Sequence, residues 1–251
     1  MTSAASVLTP VLVLPSHGTG DPQGQHAIRE LVDAVATQVD VPVVDCFVDV
    51  QQPDVPTTLS LVPGTSPLVI VPLLLSTGYH VRVDIADAAL SVAPRPTTIA
   101  PALGPDDRLI DLLAQRLEEA GLRHTDRVVL AAAGSSDPDA VADCAAVAAG
   151  LGRRLGTEVT VGFLASAEPR LDAAISAARD AHPGRRIAVA TYLLAPGFFA
   201  RLAAGADADL VTAPLLEAGR PPAEALVDLV TDRYRQAVHS LSLTAEDRAA
   251  R

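Results

Sequence analysis

Residues 11–22 read Val-Leu-Val-Leu-Pro-Ser-His-Gly-Thr-Gly-Asp-Pro, and this stretch holds a strand, a tight loop and a helix start in that order. The apolar run suits a strand covered on both faces. Gly18 and Gly20 allow the chain to turn sharply, and Asp21-Pro22 opens a helix. The plan returns at 128–138 as Val-Val-Leu-Ala-Ala-Ala-Gly-Ser-Ser-Asp-Pro. Working outward, short apolar runs stand at 11–14, 41–48, 68–75 and 97–100, then at 128–133, 158–164, 187–194 and 210–213. Amphipathic segments lie between them, such as 107–120, which opens with acids and closes before Gly121, a helix stop. Strand alternating with helix means parallel sheets covered by helices, an α/β fold. Right-handed crossovers then collect the loops after the strands on one edge, where such sheets bind ligands.

The two halves repeat each other. Phe-Val-Asp-Val-Gln-Gln-Pro (47–53) matches Phe-Leu-Ala-Ser-Ala-Glu-Pro (163–169) at a spacing of 116. Gly78 in Pro-Leu-Leu-Leu-Ser-Thr-Gly faces Gly197 in Tyr-Leu-Leu-Ala-Pro-Gly at 119, and Leu-Ile-Asp-Leu-Leu-Ala-Gln-Arg (109–116) matches Leu-Val-Asp-Leu-Val-Thr-Asp-Arg (226–233) at 117. A tandem duplication is expected, giving two similar lobes, each a four-stranded parallel sheet flanked by helices. The lobes are placed at 1–122 and 123–251, with the boundary near 121–127.

Composition narrows the function classes. The 251 residues are 49% hydrophobic and only 3% aromatic, without Trp, so the cores are built from Ala, Val, Leu and Ile. A net charge of -11 and the lack of any Lys/Arg cluster exclude the basic footprint of a nucleic-acid binder. Cys46 and Cys144 have no metal-ligand spacing and read as buried thiols. The apolar run at 11–14 is too short to span a bilayer and has no basic segment before it. A soluble, cytoplasmic protein without membrane partners is expected; nothing in the pattern specifies an oligomeric state.

Chemistry enters where the halves differ. His17 faces Ala133, and His80 faces Phe199, while the glycines and the Asp-Pro helix start persist. Both imidazoles therefore stand at strand-end loops of the first half only. Imidazole is a common ligand for divalent metals and a base near neutrality. Two such groups across a cleft can hold an incoming ion with open positions and accept protons from a ligand. Asp49, at the end of the second strand, is the carboxylate placed to assist. His26, His124, His182 and His239 lie in helical or loop contexts without partners and read as surface residues, and Arg82 and Arg201 face each other in the repeat.

The segments 11–20, 71–85 (Val-Pro-Leu-Leu-Leu-Ser-Thr-Gly-Tyr-His-Val-Arg-Val-Asp-Ile) and 102–109 (Ala-Leu-Gly-Pro-Asp-Asp-Arg-Leu) resemble the sirohydrochlorin chelatases, the class II chelatase family that includes siroheme ferrochelatases and anaerobic cobaltochelatases. The similarity spans about residues 9–238. The resemblance implies a tetrapyrrole in the cleft between lobes and a metal-binding, catalytic pair at His17 and His80. It implies substrate contacts at Ser76, Thr77, Gly78, Tyr79 and near Asp49. It further implies a divalent metal, Fe2+ or Co2+, as substrate, with no permanently bound cofactor. The loop reads His-Gly-Thr-Gly where His-Gly-Ser is commoner, and the chain ends without the histidine-rich tail of many long cobalt-type members, which favours iron and siroheme. Two other readings stand beside this. A histidine phosphatase also has a His-Gly loop after its first strand, but Pro15-Ser16-His17-Gly18 lacks the arginine its phosphate requires. A non-catalytic tetrapyrrole- or metal-binding protein shares every residue named above and differs in whether metal is inserted or only held.

Overall fold

The chain begins β1 (Val11–Ser16), α1 (Pro22–Ala36), β2 (Val43–Phe47), α2 (Val55–Leu61), β3 (Leu68–Ile70), α3 (Ile85–Ser91), β4 (Thr97–Ile99) and α4 (Asp107–Glu119). It repeats this as β5 (Arg127–Ala132), α5 (Pro138–Leu155), β6 (Val159–Phe163), α6 (Leu171–Ala181), β7 (Ile187–Tyr192), α7 (Phe198–Ala204), β8 (Leu210–Val211) and α8 (Glu224–Ala249). These elements come from a computed structural model that describes residues 9–78 and 83–249. The strands form two parallel sheets ordered β2-β1-β3-β4 and β6-β5-β7-β8, the two four-stranded lobes expected from the repeat. Among the described residues, no helix is long and apolar enough to cross a membrane.

Register shows how closely the halves agree. Ser16 pairs with Phe47, and Ala132 pairs with Phe163. Ser16 bridges to Leu73, and Ala132 pairs with Tyr192. Hence Ser16 is equivalent to Ala132, His17 to Ala133 and Leu73 to Tyr192. One position differs. The apolar run at 68–75 is a regular strand over Leu68–Ile70, and past it Val71 N and Leu73 N, on either side of Pro72, still donate to Val13 O and Pro15 O at 2.9 and 2.8 Å. Thr191, the equivalent of Pro72, lies within the six-residue β7 and donates its N–H to Thr212 Oγ1 at 2.9 Å.

Each strand buries alternate residues on opposite sides. Val11 and Val13 of β1 pack outward with Val55 and Leu59 of α2 and Ile85 of α3. Leu12 and Leu14 point inward, into a core continuous with Val128 and Leu130 of β5. The outer face of the second sheet is covered by α6 and α7 through Leu171, Ile175 and Ala203. Asp21, Asp54, Asp106 and Asp137 each accept a backbone N–H at the start of α1, α2, α4 and α5, which fixes where those helices begin.

The last helix of each half crosses over. α4 packs on α5 and β7, and α8 packs on α1, β3 and β4. Leu109, Leu113 and Leu117 of α4 are fully buried, each stabilising by roughly 1.5–3 kcal/mol relative to exposure. The equivalent arginines of the two helices lock the exchange. Arg116 reaches Leu215 O after β8 at 2.9 Å, and Arg233 reaches Ala102 O at 3.2 Å and Leu103 O at 3.3 Å after β4. The contiguous halves 1–122 and 123–251 thus describe the repeat in the chain, while each sheet takes its final covering helix from the opposite half. The physical reason is that α4 and α8 are apolar over the face that the paired lobe covers.

Candidate active site

In each sheet the connection from the first central strand leads to one neighbour and that from the second leads away, so a crevice opens at the carboxyl ends of β1 and β3, and of β5 and β7. The two crevices face each other across a cleft of about 820 Å³. That volume is at the upper end of ordinary ligand pockets and suits a large organic molecule.

His17 follows β1 directly, is exposed and lines the cleft, with Nδ1 3.3 Å from Gly18 O. Gly18 has φ +88°, and a Cβ there would stand 2.4 Å from Asp49 O, so the loops after β1 and β2 lie directly against each other. Val48 N donates to Ser16 O at 2.9 Å and Asp49 N to His17 O at 3.1 Å, which laces the imidazole's own backbone to the second strand. Asp49 therefore stands beside His17 through its main chain. Its carboxylate turns away to accept from Val50 N at 2.7 Å, and it is not among the residues that wall the cleft. Gln51, two residues on, does wall it and accepts from Thr19 N at 2.8 Å.

Ser76 and Gly78 line the cleft, whereas Thr77 is held through its backbone N–H, which donates to Asp143 Oδ2 of α5 at 2.8 Å. Tyr79 and His80, together with Arg82, lie outside the described residues. Ala133 and Phe199, the counterparts of the two histidines, both line the second half of the cleft. The Phe199 ring lies 5.5 Å from that of Phe198, tilted by 60°, and forms an apolar rim.

Several groups here were not assigned to the cleft from the sequence. Ser16 is buried on the face of β1 that looks toward the second lobe, and its Oγ has no hydrogen-bond partner among the described residues. An orphan hydroxyl at a cleft floor is a contact available to a ligand. Asp21 both caps α1 and pairs with Arg201 of α7, tying the lobes at the mouth. Tyr192 Oη donates to Leu75 O at 2.8 Å; burial, then the negative groups beside it, pushes this phenol well above its ordinary range, so it stays protonated. Cys144 also borders the cleft, but burial followed by the charge of Asp143 pushes its thiol up to about 11. Burial likewise drives Cys46 up to about 12 in the outer core, so both thiols stay neutral and unpaired, as their apolar settings predicted. A polar residue inside an apolar strand, as at Tyr192, was the one signal in the sequence that could have flagged these contacts.

The sequence model of the CbiX family matches residues 11–120 and 127–203. A sirohydrochlorin ferrochelatase of Priestia megaterium is 29% identical over 191 residues, which is 72% of this chain and 71% of that protein. The structure of SirB from Bacillus subtilis with Fe3+ superposes with a TM-score of 0.76 at 22% identity, covering 93% of this chain and 97% of that one. The sirohydrochlorin chelatase SirB from Bacillus subtilis subspecies spizizenii in complex with cobalt gives 0.70 at 20% identity, covering 92% and 95%. At these identities the two structures share the fold of this chain.

Proposed function

The chain belongs to the CbiX family, and from that premise we propose that it is a sirohydrochlorin chelatase. It inserts a divalent metal into the tetrapyrrole, with Fe2+ giving siroheme as the first choice and Co2+, as in an anaerobic cobalamin route, as the second. The metal is a substrate passing through, with no resident cofactor, and the reaction is placed in the cytoplasm. One observation carries the proposal: an imidazole, His17, opens from the switch point of the first sheet into a cleft of about 820 Å³ whose equivalent position in the second sheet is only Ala133.

The chemistry required is an exchange of one M2+ for two pyrrole protons. His17 and His80, through the unprotonated nitrogens that ligation requires, hold the ion weakly with positions left open; as ring nitrogens take over the metal, the released imidazoles accept the protons and pass them to water. Ser76, Thr77, Gly78 and Tyr79 border the macrocycle on the first lobe. Phe199 gives the second lobe an apolar face for it, since large flat ligands favour aromatic neighbours. Asp49 is proposed to draw the cation toward the loop by its charge, from outside the wall.

Mixing the protein with sirohydrochlorin and Fe2+ or Co2+ without oxygen, and following the visible spectrum against a protein-free control, tests this. A rate above background is expected, and comparing kcat/KM for the two ions ranks the metals. Binding of the tetrapyrrole with no acceleration of insertion favours the non-catalytic binding protein instead.

A further inference from the structure

The segment 75–78 leads, two residues on, to His80. It is gripped from the opposite lobe. Tyr192 Oη donates to Leu75 O at 2.8 Å, and Asp143 Oδ2 accepts from Thr77 N at 2.8 Å. Neither grip exists at the equivalent place. By register Tyr192 corresponds to Leu73, which has no hydroxyl. At the repeat spacings Thr77 corresponds to Pro196, which has no N–H, and Asp143 corresponds to Ala27, which has no carboxylate. Donor and acceptor are thus lost together on the side without imidazoles, although the approach of the backbones is kept. A Cβ on Gly78 would be 3.6 Å from Ser135 Oγ, and one on Gly197 would be 3.0 Å from Thr19 Oγ1. Gly104 completes the arrangement, because a Cβ there would lie 2.1 Å from Tyr192 Oη and 2.4 Å from Leu75 O. Only a residue without a side chain lets the phenol reach its carbonyl.

We propose that Asp143 and Tyr192, on the lobe without the two histidines, are positioning residues that fix residues 75–78, the backbone that leads two residues on to the second proposed metal ligand, His80. The proposal rests on the chelatase reading above. The ladder follows the chain to Leu74, where Leu73 N donates to Pro15 O and Leu103 N to Leu74 O, both at 2.8 Å. Beyond it, the part-buried contacts to Leu75 O and Thr77 N hold the backbone from which the chain runs on to His80.

The test measures Co2+ binding to the protein alone, by its visible absorption, together with kcat and KM for insertion. Asp143→Ala is expected to weaken Co2+ binding and lower kcat by about 10- to 100-fold, the usual effect of losing such a support, with KM for the tetrapyrrole and Tm little changed. Asp143→Asn, which keeps an acceptor for Thr77 N, is expected to recover most of both, and Tyr192→Phe to fall between. If Asp143→Ala does not fold, Asp143→Asn and Tyr192→Phe carry the test. Wild-type Co2+ binding and kcat in Asp143→Ala, or equal impairment in Asp143→Ala and Asp143→Asn, overturns the assignment. His17→Ala is the reference: if it collapses while Asp143→Ala does not, only the positioning role fails, and if it too is unchanged, the chelatase reading fails with it.

Discussion

At the end of β1 the backbone turns through Gly18 at φ +88°, and at the end of β5 it turns through Gly134 at φ +94°. A Cβ at either would collide with a carbonyl, at 2.4 Å from Asp49 O and 1.8 Å from Ala165 O. Val50 and Ser166, also equivalent, both hold positive φ, at 57° and 52°. Left-handed conformations at non-glycine residues often mark functional loops. Here the strain is present in the lobe with imidazoles and in the lobe without them, so it belongs to the shared frame of the cleft and not to metal chemistry. What is peculiar to the first lobe is the pair of histidines, and what is peculiar to the second is the pair of polar groups that reach across to it. On the proposed reading the lobes divide the work: one presents the ligands, and the other shapes the cleft around them.

The sharpest way to break that comparison is to make the first lobe resemble the second. His17→Ala installs the residue found at Ala133, and insertion above the protein-free rate is expected to fall about 100- to 10,000-fold, the usual range for a lost general base, with folding little affected. The same change at His80 is expected to act alike. Wild-type insertion by both variants, assayed spectrally, means that some other group of the cleft does the chemistry.

The exchange of helices makes a second comparison between the lobes. Leu113 sits in the first half of the chain but is buried where α4 meets the second sheet. Leu113→Ala is expected to cost about 2–5 kcal/mol. Because the two lobes share one core, hydrogen exchange should speed up in β1 as well as in β5. Faster exchange confined to the second sheet would show the lobes to be energetically separate.

The two glycines sharpen the division between frame and chemistry. Gly18→Ala and Gly134→Ala should each destabilise by roughly 1–3 kcal/mol, through strain at positive φ and the carbonyl clash. Only Gly18→Ala should also lower insertion at least several-fold at temperatures where both variants are folded, because it displaces His17. Equal loss of activity in both would return the function to the frame.

The smallest effect concerns Glu119, whose counterpart at the repeat spacing is Gln236. Arg220 first, then Arg116, hold the Glu119 carboxyl down to about 2 from an ordinary 4.5. A carboxyl depressed in the folded state stabilises above its unfolded value, and this contribution is lost as pH falls from 4.5 through about 2. Glu119→Gln is expected to flatten slightly the decline of Tm in that window and leave insertion unchanged. Its side chain is 37% exposed, so solvent screening keeps the effect modest. A Tm profile identical to wild type would show that the ion pairs around α4 add nothing to the exchange.

The strand positions and their parallel pairing followed from local patterns, because a short apolar run and a Gly-Asp-Pro break state their geometry within a few residues; the strand order came only with the structure. The duplication added what one half could not, by showing which loop residues were replaced while the turns stayed. His17 was legible for that reason, and Ser76 and Gly78 were legible as cleft residues. Asp49 was identified by its place at a strand end, but its carboxylate turns to Val50 N and leaves the wall to Gln51. Nothing short-range in the sequence distinguishes those two outcomes, since a loop of positive-φ residues can aim either side chain inward.

The sequence by itself determined the strands, the helix starts, the repeat and the imidazole at the end of β1, all features encoded over fewer than about ten residues or copied twice. Only the tertiary structure decided that α4 and α8 change places, that Ser16 Oγ faces the second lobe without a partner, and that Asp143 and Tyr192 grip residues 66 and 117 positions away. Those contacts depend on how two sheets pack across a shared core. Helix periodicity specifies which face is apolar but not which of two similar lobes will cover it.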